Sequence, residues 1–293
     1  MPVYNAEATV ERAIESILAQ TSPPAEIIVV DDGSTDRTVG ILKKYGDRIS
    51  LITQANSGAA AARNRAAQIS QGRYLAFLDA DDVWSKHKLE VQLKAFSYFP
   101  NAGISYTDCH STTEKNLKRV MAENEKHVNV NCKICDKDFI DIFVSPCLGT
   151  PNVIISRQLF FEMGGFDENL IVSEDVDLWL RASFNSQCIS IAEKLSYIVN
   201  RADSLTSTSG INPFKTQLQV IDSFCKRFDT FPKNNARVIR RAKGVIFEQW
   251  GSQALVDNNI KLSLKLLFKA IVLKPSFRPA YLFLKSLYLT IRH

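Results

Sequence analysis

The stretch YLAFLDADDVW, residues 74–84, begins apolar and ends in three carboxylates, Asp79, Asp81 and Asp82. Side chains alternate across a strand, so a strand running to this point aims Asp79 and Asp81 the same way and Ala80 the other way. Two carboxylates that close repel each other unless a cation joins them. Mg2+ or Mn2+ fits such a pair, because hard cations take oxygen ligands and complete their shells with phosphates and water. The chemistry on offer is the capture of a diphosphate through a bridging metal. Asp-x-Asp is a common triplet, and Asp82 also reads as a cap for the next helix. A second acid pair, Asp31 and Asp32, ends EIIVVDDGS. A third, Glu174 and Asp175, opens SEDVDLWLRA, where Ser173 is the expected N-cap and first-turn acids gain ~0.3–1 kcal/mol from the helix dipole.

The elements that must position these acids follow from periodicity. Val10, Ala13, Ile14, Ile17 and Leu18 have helical spacing, stopped by Pro23 and Pro24. EIIVVDDGS reads as a buried strand ending in a turn, and DRTVGILKKY as a helix with Ser34 or Thr35 at its N-cap. ISLIT is a short strand, SGAAAARNRAAQIS a helix, RYLAFLDADD a strand, SKHKLEVQLKAF a helix and AGISYTD a strand. Strands alternating with helices predict an α/β fold with a mostly parallel sheet flanked by helices. Ligands of such sheets bind beyond the carboxyl ends of the strands, where both Asp31/Asp32 and Asp79/Asp81 fall. Residues 110–150 read as a loop-rich excursion, and the chain is helical from about 212 onward.

The totals narrow the classes. The chain has 293 residues, 45% hydrophobic, enough for one large domain with an appendage and too apolar for disorder. No run approaches the ~20 apolar residues of a membrane span. Six scattered cysteines, with only Cys132 and Cys135 close together, read as ordinary thiols of a reducing compartment. The net charge of +5 hides an asymmetry: residues 1–209 carry 21 Lys/Arg against 27 Asp/Glu, a balance of −6, and residues 210–293 carry 15 against 4, a balance of +11. No glycine-rich dinucleotide or phosphate loop and no nucleophile elbow occurs. A bound nucleotide would therefore be held by metal and side chains.

PVYNAEATVERAIESILAQ, EIIVVDDGSTDRT, NSGAAAARNRAAQISQGRYLAFLDADD, GGFDENL and SEDVDLWLRA together resemble the successive motifs of family 2 glycosyltransferases of the GT-A (Rossmann-like) fold. The resemblance covers roughly residues 2–205. It implies a domain at 1–210 and a basic helical extension at 211–293. It implies nucleotide contacts from Pro2, Tyr4, Asp32, Arg63 and Asp79, with Tyr4 stacking on a base and Asp32 accepting from its N–H. Asp81, with Asp79, would hold Mg2+ or Mn2+. Asp175 matches the catalytic base, and Glu174 its companion near the acceptor. The implied reaction is inverting transfer of a sugar from a nucleotide-diphospho-sugar to a saccharide or lipid-linked acceptor, in cell-surface polysaccharide or glycolipid assembly. The competing readings are a sugar-nucleotide nucleotidyltransferase, whose glycine-rich basic loop is absent, and a non-catalytic scaffold.

Two departures stand out. The family places an apolar strand directly before Pro-Val-Tyr-Asn, where this sequence starts at Met1, so the first strand is expected to be missing and to lie upstream. The family's Tyr-Arg-x-His is replaced by YIVNRADSLTS, with Ile198 and Asn200 at the key positions and Arg201 a shifted substitute; no third metal ligand is assigned. In the basic tail, Lys261, Lys265 and Lys269 recur every four residues beside an apolar side of Leu264, Leu267, Phe268 and Ile271, and Arg278, Lys285 and Arg292 every seven. This is either a solvated helical cap or a docking face for the anionic inner surface of a membrane. The expected location is cytoplasmic, peripheral to that membrane, with no nucleic-acid partner.

Overall fold

The computed structural model describes residues 1–124, 130–135, 149–200 and 210–292. The described residues divide into two compact units, one ending at residue 200, the other beginning at Gly210.

The first unit is α/β. Its first sheet is parallel, in the order β1 (Pro2–Val3), β2 (Ile28–Asp31), β3 (Ser50–Thr53), with Val3 opposite Asp31 and Asp31 opposite Thr53. The β-branched run of β2 is buried on both faces, as parallel strands require. Helix α1 (Val10–Leu18) turns Val10, Ala13, Ile14 and Ile17 into the core. Helix α2 (Thr38–Lys43) follows β2; its first turn is capped by Asp36, whose Oδ1 accepts from Thr38 N at 2.9 Å, and not by the expected Ser34 or Thr35. Helix α3 (Ala59–Ile69) is alanine-rich because it lies close on the sheet: Ala62 and Ala66 pack on Val30.

The second sheet runs β4 (Tyr74–Ala76), β8 (Val153–Ser156), β6 (Ala102–Thr113), β9 (Gln187–Asn200), β5 (Val83–Trp84), with β7 (Cys132–Cys135) also on β9. Parallel pairing covers the first sheet and β6 with β9, while β4–β8, β5–β9, β6–β8 and β7–β9 are antiparallel. The sheet is therefore more mixed than strand–helix alternation predicts. Helix α4 (Lys88–Tyr98) packs beside it, and α6 (Arg157–Glu162) and α7 (Glu174–Asn185) follow β8. Part of the region expected to be loop is α5 (Glu114–Asn124), whose Leu117, Val120 and Met121 pack on Val83, Tyr197 and Val199. Arg201 and the serine-rich turn lie outside the described residues. Cys109, Cys132, Cys188 and Cys225 are in no disulfide among the described residues; Cys147 and the Cys135 side chain are not described.

The second unit is helical: α8 (Pro213–Arg227), α9 (Thr230–Val256), α10 (Ile260–Leu273) and α11 (Phe277–Arg292). Asn212 and Asn259 cap α8 and α10, accepting from Lys215 N at 3.1 Å and Leu262 N at 3.2 Å. Gly251 lets α9 meet α10 closely, since a Cβ there would lie 2.7 Å from Leu267 Cγ. Ser263 donates to Gly251 O at 2.9 Å and sits 3.1 Å from Ser286 Oγ of α11. No described helix is long and apolar enough to cross a membrane.

Candidate active site

Tyr4 stands 51% exposed at the end of β1, on a loop fastened to its neighbour. Asn5 takes a left-handed conformation (φ 46°), and its side-chain oxygen accepts from Thr35 N at 2.8 Å. Its own N–H donates to Ser34 Oγ at 2.9 Å, and Ala6 N donates to Thr38 Oγ1 at 2.8 Å. The PVYN and DGSTD loops thus hold each other at the carboxyl ends of β1 and β2. Pro2 is buried in the strand itself.

Asp32 is buried and organises the next loop. Its Oδ1 accepts from Gln54 Nε2 (2.8 Å) and Ser57 N (2.9 Å), and its Oδ2 from Gly58 N (2.8 Å). These bonds fix the entry to α3. Five residues further along that helix, about 7.5 Å of rise, Arg63 joins the acid clusters. Its Nη2 donates to Asp79 Oδ1 and its Nη1 to Glu174 Oε1, both at 2.6 Å. The guanidinium also lies 5.3 Å from the ring centre of Phe166. Burial opposes its charge, but the two carboxylates outweigh that and hold Arg63 above its ordinary value. Arg63 is therefore committed to carboxylates in a buried ion pair.

The acids of the opening stretch sit on a turn, not on a strand. β4 ends at Ala76; Phe77 and Leu78 are buried, with Phe77 packed on Phe160 and Phe166. Asp82 N donates to Asp79 O at 3.2 Å, so strict alternation does not set where Asp79 and Asp81 point. Arg12 of α1 donates to Asp81 O at 2.9 Å. Asp82 is buried and caps no helix: its Oδ1 accepts from Val199 N of β9 at 3.0 Å. Burial, then the charges of Asp79 and Asp81, push its carboxyl well above the usual range.

Glu174 and Asp175 open α7 as expected, but Ser173 makes no side-chain cap and adopts φ 66°. A non-glycine residue so placed stores strain of order 1–3 kcal/mol, which surrounding contacts must hold. Those contacts are visible. Arg181 bonds Asp177 Oδ2, Met163 O (2.5 Å) and Gly165 O (2.9 Å), clamping α7 to the Gly-Gly turn. Asn64, beside Arg63, accepts from Phe166 N at 2.9 Å and donates to Phe166 O at 2.9 Å. Gly165 (φ 70°) leaves room for this, since a Cβ there would stand 2.7 Å from Asn64 Oδ1. Asp175 Oδ1 accepts from Val176 N (2.7 Å) and Oδ2 from Thr150 Oγ1 (3.2 Å). Burial raises its carboxyl, against the Arg63 charge and these two bonds. Glu174 is raised by burial and then by Asp175, against Arg63.

Thr150 belongs to a short 3-10 turn, Thr150–Asn152, supported from behind. Trp84 Nε1 and Ser196 Oγ each donate to Pro151 O at 2.9 Å, and buried Gln92 donates to Asn152 O at 3.0 Å. Lys88, also buried, bonds Gln92 and lies 4.6 Å from the Trp84 ring centre; burial brings it down to about 7.

Among the described residues, no group of three or more His, Cys, Asp or Glu converges in a shape that could hold a metal. The donor set still fits a cation that needs few protein ligands. Asp79 and Asp81 lie close enough to raise Asp82 by their charge, Asp79 is bound to Arg63 through Oδ1, and Mg2+ commonly takes only one or two carboxylates plus phosphates. None of the site residues lines the apolar cavity of about 370 Å3 formed by Ile28, Leu75, Phe77, Leu78 and their neighbours. Asn5, Asn64, Thr150 and Arg181 escaped the sequence reading. Asn64 adjoins Arg63 in the chain, and the Gly-Gly pair marks the turn that it grips.

The chain is similar to several known glycosyltransferases. The chain is 46% identical over 230 residues to the Escherichia coli UDP-Glc:alpha-D-GlcNAc-diphosphoundecaprenol beta-1,3-glucosyltransferase WfgD, covering 76% of this chain and 84% of that one. It is 50% identical over 110 residues to the putative teichuronic acid biosynthesis glycosyltransferase TuaG of Bacillus subtilis, covering 36% of this chain and 43% of TuaG. Several other curated relatives are longer, and the chain spans only 30% of a Rickettsia bellii glycosyltransferase and 56% of a Rickettsia prowazekii one. Among solved structures, the mannosyltransferase PcManGT of Pyrobaculum calidifontis, in complex with GDP-Man and Mn2+, superposes with a TM-score of 0.59 at 16% identity, over 99% of this chain and 79% of that one. TarS 1–349 of S. aureus, in complex with UDP-GlcNAc, gives 0.58 at 18%, over 97% and 77%. The fold is the GT-A fold of these transferases. The model of glycosyl transferase family 2 matches residues 1–154, and the chain belongs to that family.

Proposed function

We propose that this chain transfers a sugar, with inversion, from a nucleotide-diphospho-sugar to a hydroxyl of a saccharide or lipid-linked acceptor in surface-polysaccharide or glycolipid assembly. The observation that carries the reading is Arg63, which ties the turn of Asp79 to Glu174 and so brings the diphosphate-binding acids and Asp175 into one site. The relative WfgD is named for a UDP-glucose donor and a diphosphoundecaprenol-linked acceptor, which supports a UDP-sugar and a lipid-linked saccharide here.

Tyr4 offers an exposed ring at the mouth of the first sheet for a flat base, and Asp32 shapes the loop beside it. Asp79 and Asp81 would hold Mg2+ or Mn2+, which supplies positive charge to the leaving diphosphate. Asp175, raised by its surroundings, is suited to take the proton from the acceptor hydroxyl as that oxygen attacks the anomeric carbon. Thr150 and Val176 N–H hold its carboxylate in place. Attack opposite the leaving group inverts the configuration. Glu174 keeps Arg63 in position beside it. The basic second unit is assigned to the anionic inner face of the membrane, where a lipid-linked acceptor resides.

The test is product analysis with UDP-, GDP- and dTDP-sugars and Mn2+. Asp175→Asn is expected to leave donor binding intact and cut turnover ~10²–10⁴-fold. Near-normal transfer by that variant removes Asp175 as the base, and pyrophosphate release in place of sugar transfer removes the reaction.

A further inference from the structure

The second unit ends in a helix with two unlike faces. α11 buries Pro279 and Ser286, and Ser286 meets Ser263 of α10. Phe277, Tyr281, Leu284 and Tyr288 are 53–84% exposed. Spaced by four, three and four, they fall within about 60° of helix arc, one apolar stripe. Lys285 borders it and is exposed; Arg278, on the same border, pairs through Nε with Glu248 Oε1 of α9 at 3.4 Å. On α10, Phe268 and Val272 are 58% and 59% exposed, on the side that also carries exposed Lys261, Lys265 and Lys269. This differs from the sequence expectation, which placed Phe268 on an apolar side apart from the lysines. Among the described residues, seven of the fourteen exposed large hydrophobic side chains lie between 268 and 288.

We infer that this face of α11 is a bilayer-insertion surface: the stripe Phe277, Tyr281, Leu284 and Tyr288 enters the interface of an anionic membrane while Lys285 at its border meets lipid phosphates. It rests on the assignment of the second unit to a membrane, and replaces docking by charge alone with burial of apolar side chains. Charge selects the occupant. Residues 210–293 carry 15 Lys/Arg against 4 Asp/Glu, so a second copy of the same face would bring like charges together. Anionic lipid offers opposite charge and an apolar layer at once. Nucleic acid offers the charge but no layer for Leu284, which has no flat face to stack.

The measurement is co-sedimentation of the full chain with phosphatidylcholine vesicles, with and without about 30% phosphatidylglycerol, at low and high salt. Binding is expected to need the anionic lipid and to persist in part at high salt, because buried apolar area is not screened. Phe277→Ser with Leu284→Ser is expected to weaken partitioning ~10–100-fold, with an unchanged Tm because both side chains already face solvent. Lys285→Gln is expected to lower only the salt-sensitive part. Binding that vanishes at high salt, or that ignores the serine substitutions, overturns insertion. A dimer or an RNA complex broken by the same substitutions, without vesicle binding, assigns the face to that partner instead. Sugar transfer to a detergent-solubilised acceptor, measured in parallel, reports on the enzyme separately: transfer without vesicle binding sinks the surface, and vesicle binding without transfer sinks only the reaction.

Discussion

Arg63 bonds two carboxylates that lie far apart in the chain: Glu174 is 111 residues away and Asp79 is 16. The acids were legible because their motifs cluster them; the arginine's partners were not, because nothing local encodes a contact over that separation. Ser173 shows the converse. Its type suits an N-cap, yet the turn before α7 needs a left-handed residue to aim Glu174 and Asp175, and the capping bond is lost to that need. Removing a partner from a buried ion pair costs about 3–5 kcal/mol, since the remaining charges stay desolvated. Arg63→Met is therefore expected to destabilise the first unit by about that much and to abolish transfer. Adding Glu174→Gln should return part of the stability, because one stranded carboxylate is gone, and none of the activity. Strict additivity of the two substitutions in chemical denaturation would show that the pair does not interact.

At the scale of elements, the strands and helices before residue 102 were readable from period and punctuation. The misreadings share a cause. Phe77 and Leu78 extend an apolar run past the end of β4 because they fill a core, and burial does not by itself make a strand. α5 reads as loop because its charged residues outnumber its three packing residues, although Leu117, Val120 and Met121 have helical spacing. Within its own segment Asp82 reads as a cap, but it bonds β9, 117 residues on. That bond ties the acid turn to the second sheet, with a consequence for pH. Its folded carboxyl lies above the ordinary value of about 3.9. A raised carboxyl contributes stability below the ordinary value and loses it as pH climbs through the folded one. Asp82→Asn keeps an oxygen for Val199 N and cannot ionise. Its Tm, measured in EDTA, should rise relative to the parent protein from pH 4 toward neutrality; parallel curves would mean that Asp82 does not titrate in that window.

For the whole molecule, the net charge is unevenly spread, −6 over residues 1–209 and +11 over residues 210–293, and the chain divides into two compact units. Each has a core of its own: β-branched and aromatic side chains between sheet and helices in the first, and Ile221, Ala242 and Ile246 among the helices of the second. Units with separate cores need not unfold together. Calorimetry of the full chain is expected to show two transitions. Arg63→Met touches only the first core and should lower one of them; Leu267→Ala, which empties a fully buried position against Gly251, should lower the other by an amount equivalent to about 2–5 kcal/mol. Nucleotide-sugar with Mn2+ should raise the transition that Arg63→Met lowers and leave its companion in place, since ligand stabilises only the unit that binds it. A single transition whose calorimetric and van't Hoff enthalpies agree, shifted alike by both substitutions, would make the chain one cooperative body. In that case the basic helices would be a structural part of the enzyme, and cutting them away to isolate the transferase would unfold it.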